Sequence, residues 1–280
     1  MIDKNRLKNI ELVVSDLDGT LLNSNNEIGK RSLELIKALH AKGVRFTFAT
    51  GRLFSAAEDH ARQLGLKTPL ITLDGAMIKS LDGTIVFNSY LSKRYVAKAI
   101  RLAEFNLTNI ALCHADAIYY SEQNPLVPEI VEKFGARFIE VDSLEKYQTE
   151  TLEIVIAGDY KPTMKFLEKK FSFPYTFGLN LTYYKSSRRG NIYFLEIRKH
   201  GSGKGEGLAK LLKHLKININ NVAVMGDWYN DRTLFNTDAY KVAVANAVDE
   251  IKFKSNFITS GDNNNDGIAE FLELLLKTKE

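Results

Sequence analysis

Apolar residues recur along this chain in two alternating rhythms. Short apolar or β-branched runs stand at Leu12–Val14, Val44–Ala49, Leu70–Leu73, Val222–Met225 and Tyr240–Val244, the pattern of buried strands. Between them lie longer stretches with apolar residues three and four apart. Ile28–Ala41 carries such a stripe at Leu33, Ile36 and Leu39, and Ser55–Leu64 reads as a second helix. Lys42-Gly43 and Gly65 are suited to end them, because Gly fits the left-handed C-terminal position. The same rhythm returns late, with helices predicted over Gly205–Leu215 and Gly267–Lys277 and a short strand over Phe257–Thr259. Strands alternating with helices predict an α/β fold with a doubly wound, Rossmann-like parallel sheet.

The rhythm breaks in the middle. Leu81-Asp82-Gly83-Thr84 reads as a hairpin tip. Beyond it, helices are predicted at Lys93–Glu104, Asn124–Phe134 and Thr163–Lys170. Strands are predicted near Thr108–Cys113, Ala117–Ser121, Arg137–Val141, Leu152–Ala157, Asn180–Tyr184 and Ile192–Ile197. This block is rich in Tyr and Phe. It predicts an inserted α/β domain over 85–198, within a core domain formed by 1–84 and 199–280.

The first strand leads into Asp16-Leu17-Asp18-Gly19-Thr20. Two carboxylates two residues apart, in a turn with free amides, can attack as a nucleophile, carry a proton and help hold a hard cation. A calcium loop starting at Asp16 would find Glu27 at its twelfth position, but Leu21 stands where Gly is needed and a strand precedes it.

Ligands bind beyond the carboxyl ends of strands in such sheets. Three more motifs sit at strand ends or helix starts. Thr50-Gly51-Arg52 offers a hydroxyl and amides to a phosphoryl group. Lys204, between Gly203 and Gly205, is a mobile point charge that can offset nucleophile and phosphate together. It is not a P-loop, since no Gly stands at Arg198 and no Ser or Thr follows the Lys. Gly226-Asp227-Trp228-Tyr229-Asn230-Asp231 ends another strand, and Asp227 can supply a third carboxylate ligand. Phosphoryl transfer needs a nucleophile in line with the leaving group and cations to absorb charge, and Mg2+ suits such oxygen ligands.

The order Asp-x-Asp-Gly-Thr, Thr-Gly-Arg, Gly-Lys-Gly, Gly-Asp-x-x-Asn-Asp resembles the haloacid dehalogenase superfamily, and within it the Cof-type phosphatases with a large inserted α/β cap. The likeness extends to Asn246 and to Asp266-Gly267-Ile268-Ala269. It implies Asp16 as nucleophile and Asp18 as general acid and base, with Thr50 and Lys204 completing the catalytic set. It implies Mg2+ held by the carboxylates of Asp16 and Asp227 and by the backbone carbonyl of Asp18. It implies Leu17, Gly51, Arg52 and Asn230 as phosphate- or substrate-binding positions, and Asp231 as the residue that would orient Lys204 or a metal-bound water. Asp74 stands where the family often has Asn, and Gly203 where Ser is frequent. The cap is expected to close over the turn and select the substrate, with His114, Tyr183, Lys185, Arg188 and Arg189 as polar candidates.

The resulting expectation is a phosphoric monoester hydrolase acting on a small phosphorylated metabolite, such as a sugar phosphate, through an aspartyl phosphate. A sugar phosphomutase on the same scaffold and a non-catalytic phosphate sensor are the alternatives.

Composition changes this picture little. The 280 residues carry 38 Lys+Arg against 34 Asp+Glu, a balance that gives no reason to expect nucleic acid or a membrane as partner. Cys113 is the lone cysteine, read as a packed strand residue, so no internal disulfide forms. With no secretory signal and no apolar run of membrane-spanning length, a cytoplasmic monomer or weak homo-oligomer is expected, with no organic cofactor. Asp262 to Glu273 fits a calcium-loop pattern, but a strand and Gly261 precede it. It reads instead as a polar loop with Asp266 capping the last helix.

Overall fold

The computed structural model describes residues 4–124, 127–131, 135–186 and 190–280. The chain divides into two compact units. The first takes in the chain through Gly51, then Glu58–Phe87 and Gly203–Glu280. The second takes in Arg52–Ala57 and Asn88–Ser202.

The first unit is built on a five-stranded parallel sheet. Its order is Phe257–Ile258, Tyr240–Ala243, Val222–Gly226, Leu12–Ser15, Arg45–Phe48. The Leu12–Ser15 strand is buried at all four positions, as expected of a strand covered on both faces. Ser15 pairs with Met225 on one side and with Phe48 on the other. The chains leaving those strands therefore emerge side by side at one sheet edge. The helix Lys30–Ala41 buries Ile36 and Leu39, and the helix Ile268–Lys277 buries Ile268, Phe271, Leu272 and Leu275. A second, three-stranded sheet joins Leu70–Thr72, Met77–Lys79 and Ile85–Asn88. Its hairpin turns at Gly83, where φ is +93°, and the Thr84 amide donates to Asp82 Oδ1 at 2.9 Å.

The second unit carries a six-stranded sheet. Its order is Leu179–Lys185, Tyr193–Lys199, Glu153–Gly158, Asn109–Cys113, Ile118–Ser121, Phe138–Val141, antiparallel except for the last pair. The helices Lys93–Phe105 and Lys161–Phe171 pack on one face. Val96, Ile100, Met164 and Leu167 meet Ile110, Leu112, Ile154, Ile156 and Leu195 there.

The described residues bear on three expectations. The contact boundaries fall at Asn88 and Ser202, and Arg52–Ala57 groups with the second unit. The tie is local: Ser55 donates through its amide to Ala115 O at 3.1 Å and through its hydroxyl to Asp116 O at 2.7 Å. The helix expected from Asn124 to Phe134 is described only as Val127–Ile130, and residues 125–126 and 132–134 lie outside the described residues. Asp266 does not cap the last helix. Its carboxylate instead accepts from the Ser32 amide at 3.1 Å and from the Ser32 hydroxyl, serving the first turn of Lys30–Ala41. A side chain from a distant loop thereby satisfies an orphan amide that Gly29, at that helix's own N-cap, cannot reach. Asp262 Oδ1 accepts from the Asn265 amide at 2.9 Å, so that tract is a self-capped turn.

Candidate active site

The parallel register places Asp16 beyond the paired ends of two strands. Its amide donates to Met225 O at 3.0 Å, which fixes it beside the Gly226-Asp227 turn. Ala49 N donates to Ser15 O at 2.9 Å and Thr50 N to Ile71 O at 3.0 Å, bringing Thr50 to the same edge. Asp16, Thr50, Lys204, Asp227 and Asp231 are all buried. Asp18 and Asn230 are more open.

Lys204 begins the helix Lys204–Leu215 and is fully buried. Its ammonium donates to Asp16 Oδ1 and to Asp231 Oδ1, each at 2.7 Å. Asp231 Oδ2 accepts from the amides of Asp227 at 2.9 Å and Trp228 at 3.1 Å. Asp231 is thus a brace that clamps the Gly226-Asp227 turn with one oxygen and aims Lys204 with the other. Gly226 is required by this closeness, since a Cβ there would lie 2.5 Å from Asp231 Oδ2. Gly19 has φ +80°, and a Cβ on it would lie 2.5 Å from Asp227 Oδ2.

Thr20 donates its hydroxyl to Asp227 Oδ1 at 2.8 Å, and Asn246 Nδ2 donates to Gly19 O at 2.8 Å. The Thr20 role was not assigned from sequence, although Thr20 belongs to the first motif. Thr233 was not singled out at all, yet its hydroxyl accepts from the Gly205 amide at 2.9 Å beside Lys204. No local pattern marks it. Asn230 Nδ2 donates to Asp74 Oδ1 at 3.2 Å, so the Asp found in place of a family Asn is held by a site residue. Asp74 sits in the left-handed region at φ 49°, as does Leu73 at φ 47°.

The electrostatics are those of crowded carboxylates. Asp16, Asp227 and Asp231 each place an oxygen within 4.8 Å of the others. Burial pushes the Asp16 carboxyl well above the usual range, with Asp231 and Asp227 adding to it and Lys204 opposing. Burial, and then Asp231, push Asp227 up to about 7 against the Thr20 hydrogen bond. Burial disfavours charge on Lys204 too, but Asp16 and Asp231 hold it above its ordinary value. Three carboxylates meet one ammonium here. Each of the three carboxylates could offer an oxygen to a cation, although both oxygens of Asp231 already accept hydrogen bonds. An oxygen-only donor set with excess negative charge fits a hard divalent ion such as Mg2+.

The second-unit candidates fare differently. His114 is buried, with Nε2 3.0 Å from Tyr147 O and its ring 4.8 Å from that of Tyr119, a packed histidine. Tyr183 lies under Lys165, whose ammonium is 3.9 Å from the ring centroid, and stacks on Tyr193 at 6.0 Å. Lys185 is exposed, and Arg188 and Arg189 lie outside the described residues. Cys113 is buried in its strand.

The family model for haloacid dehalogenase-like hydrolases matches residues 13–272. MG265 of Mycoplasma genitalium, which carries the name of a candidate phosphatase, is 29% identical over 97% of this chain and 99% of its own length. The HMP-PP phosphatase of Escherichia coli is 23% identical over 86% of each chain. A haloacid dehalogenase-like hydrolase from Bacteroides thetaiotaomicron superposes with a TM-score of 0.83 at 25% identity, over 95% of this chain and 99% of that one. With the Asp16, Thr50, Lys204 and Asp227 motifs gathered at one sheet edge and the match running almost end to end, the chain belongs to the haloacid dehalogenase-like hydrolase family, in its Cof-type branch.

Proposed function

We propose that this enzyme, a phosphoric monoester hydrolase, uses Mg2+ and acts on a small phosphorylated metabolite through an aspartyl phosphate on Asp16. The observation that carries the proposal is the ammonium of Lys204 shared between Asp16 Oδ1 and Asp231 Oδ1 at 2.7 Å each. It fixes the Asp16 carboxylate and opposes the protonation that burial favours.

In the first step an Asp16 oxygen bonds to phosphorus as the bond to the leaving alcohol breaks. Asp18 gives its proton to the leaving oxygen. Water then attacks phosphorus, Asp18 takes a proton from it, and the bond to Asp16 breaks to release inorganic phosphate. The Thr50 hydroxyl and the backbone at Leu17, Gly51 and Arg52 bind phosphoryl oxygens, with Asn230 alongside. Lys204 offsets the charge that nucleophile and phosphate share. Mg2+, held by Asp16, Asp227 and the Asp18 carbonyl, would reduce the repulsion between two carboxylates and a phosphoryl group.

Choice of substrate is assigned to the inserted unit, as a cap. A sugar phosphate leads the candidates, and HMP-PP joins the screen because an E. coli relative bears that name. We place the enzyme in the cytoplasm, as a monomer or weak homo-oligomer; among the described residues no helix is long and apolar enough to cross a membrane.

Phosphate release from an aryl phosphate tests the reaction. Turnover is expected with Mg2+ and not with Ca2+, whose looser coordination lets a carboxylate bind through both oxygens. Asp16→Asn is expected to abolish it. An Asp16→Asn protein keeping more than about a tenth of wild-type turnover would sink the assignment. A mutase would release no net phosphate, and a sensor would turn nothing over.

A further inference from the structure

The balanced charge of the whole chain conceals a local excess. The helices Lys93–Phe105 and Lys161–Phe171 bury one side each against the same sheet face, so their other sides look away from it. Across 93–107 and 159–178 stand eight basic residues and three acidic ones, a local net of +5 against +4 for all 280 residues. The first helix carries Lys93, Arg94, Lys98 and Arg101, and the second Lys161, Lys165, Lys169 and Lys170.

Large apolar side chains are exposed on the same two stretches. Among the described residues thirteen large hydrophobics are exposed, and seven of them lie within these 35 positions. Phe105, Leu107 and Tyr160 stand at one end, 86%, 94% and 65% exposed. Phe166, Phe173, Tyr175 and Phe177 stand toward the other. The helices run antiparallel. Lys98 Nζ reaches Lys170 O at 2.6 Å near the end of the second helix, while Gly158, before it, lies against Thr108, after the first. Thirteen helical residues separate the two apolar ends by about 20 Å.

The loop at Phe173–Phe177 is built, not frayed. Tyr95 OH donates to Phe177 O at 3.2 Å and Lys98 Nζ to Thr176 Oγ1 at 2.8 Å. An isolated exposed aromatic needs no explanation, but a cluster of this size rimmed by lysines marks an interaction face.

Its charge indicates an anionic partner and makes pairing with a second copy of the same face unfavourable. Two polyanions compete. A single-stranded nucleic acid needs free ring faces in a groove on which to stack bases. Here Lys170 lies 5.1 Å from the ring centroids of both Phe166 and Tyr175, and Phe173 and Phe177 meet edge to face at 5.3 Å. Rings engaged by one ammonium or by each other fit a lipid surface better. There the aromatic and leucine tips enter the acyl boundary and the lysines meet headgroups.

We propose that this helical face docks the protein reversibly on anionic lipid bilayers, with Phe105 and Leu107 at one end and Phe173 and Phe177 at the other as the inserting groups. It departs from the expectation of no membrane partner, and it does not depend on the phosphatase mechanism.

Co-sedimentation of the full chain with vesicles tests it. Binding is expected to phosphatidylcholine vesicles holding about 30 mol% phosphatidylserine, and not to phosphatidylcholine alone. Lys161→Glu with Lys169→Glu should weaken binding at least about tenfold, and about 1 M salt should do the same to the wild type. Phe173→Ser with Phe177→Ser should also lose binding, while both variants keep wild-type circular dichroism and aryl phosphate turnover. Equal binding to neutral and anionic vesicles, binding unaffected by either variant, or no binding at all overturns the proposal. So does binding of a labelled single-stranded oligonucleotide by a chain that leaves vesicles alone.

Discussion

Lys204 Nζ sits 2.7 Å from Asp231 Oδ1, and neither side chain is exposed. A buried pair of this kind is costly to break from one side, because the remaining charge stays out of water. Asp231→Ala would remove one partner of Lys204 and the acceptor of two backbone amides. It is expected to cost about 3–5 kcal/mol in urea unfolding. A loss below about 1 kcal/mol would remove Asp231 from its role as a brace.

Gly226→Ala tests the same brace through the backbone. The added Cβ would press on Asp231 at 2.5 Å from Oδ2 and 2.6 Å from Cγ. A loss of about 1–3 kcal/mol is expected, with a fall in kcat as Lys204 is re-aimed. Gly43→Ala is the control. Gly43 has φ +81° with nothing within 4 Å of a new Cβ, so only backbone strain of about 1–2 kcal/mol applies and kcat is unchanged. Equal kcat effects in the two variants would separate Gly226 from the site.

Asp227 gives a pH dependence with a definite sign. Its carboxyl is raised to about 7 in the folded chain, above its ordinary 3.8, so the folded state holds the proton more tightly. The stabilisation is fully present below that ordinary value and is lost as pH rises through about 7. In chelator-treated protein, wild type should therefore lose stability relative to Asp227→Asn between about pH 4 and 7. Added Mg2+ should flatten the difference by favouring the charged carboxylate. Parallel melting profiles for the two proteins in chelator would contradict this.

Asp18 is separable from Asp16 by trapping. An aryl oxide leaves without much acid help, so Asp18→Asn should slow mainly the water step, by roughly 100- to 10,000-fold. Phosphorylated Asp16 should then accumulate. Mass spectrometry of acid-quenched protein is expected to find the phosphoryl group on the peptide containing Asp16. Normal turnover, or a label on another residue, would overturn the division of roles.

The local rhythm of the chain determined a good deal. Strand and helix positions around Leu12, Arg45, Lys204 and Val222 follow from residues within a turn or two of one another, which is the range over which periodicity acts. The site motifs were legible for the same reason, since each is a short segment at a strand end or a helix start.

Only the tertiary structure decided what lies between those pieces. Strand order set Leu12–Ser15 beside Val222–Gly226, and so let Thr20 meet Asp227 across 207 positions and Lys204 meet Asp16 across 188. Asp231 became a brace because burial left both its oxygens to be satisfied from different segments. Asp266 serves Ser32 and not its own helix, and Thr233 supports the start of the Lys204 helix, through contacts no spacing announces. The basic, aromatic face emerged only when two helices 68 positions apart at their first residues packed on one sheet. Charge counted along a chain is an average, whereas a partner meets charge and exposed rings where folding has gathered them.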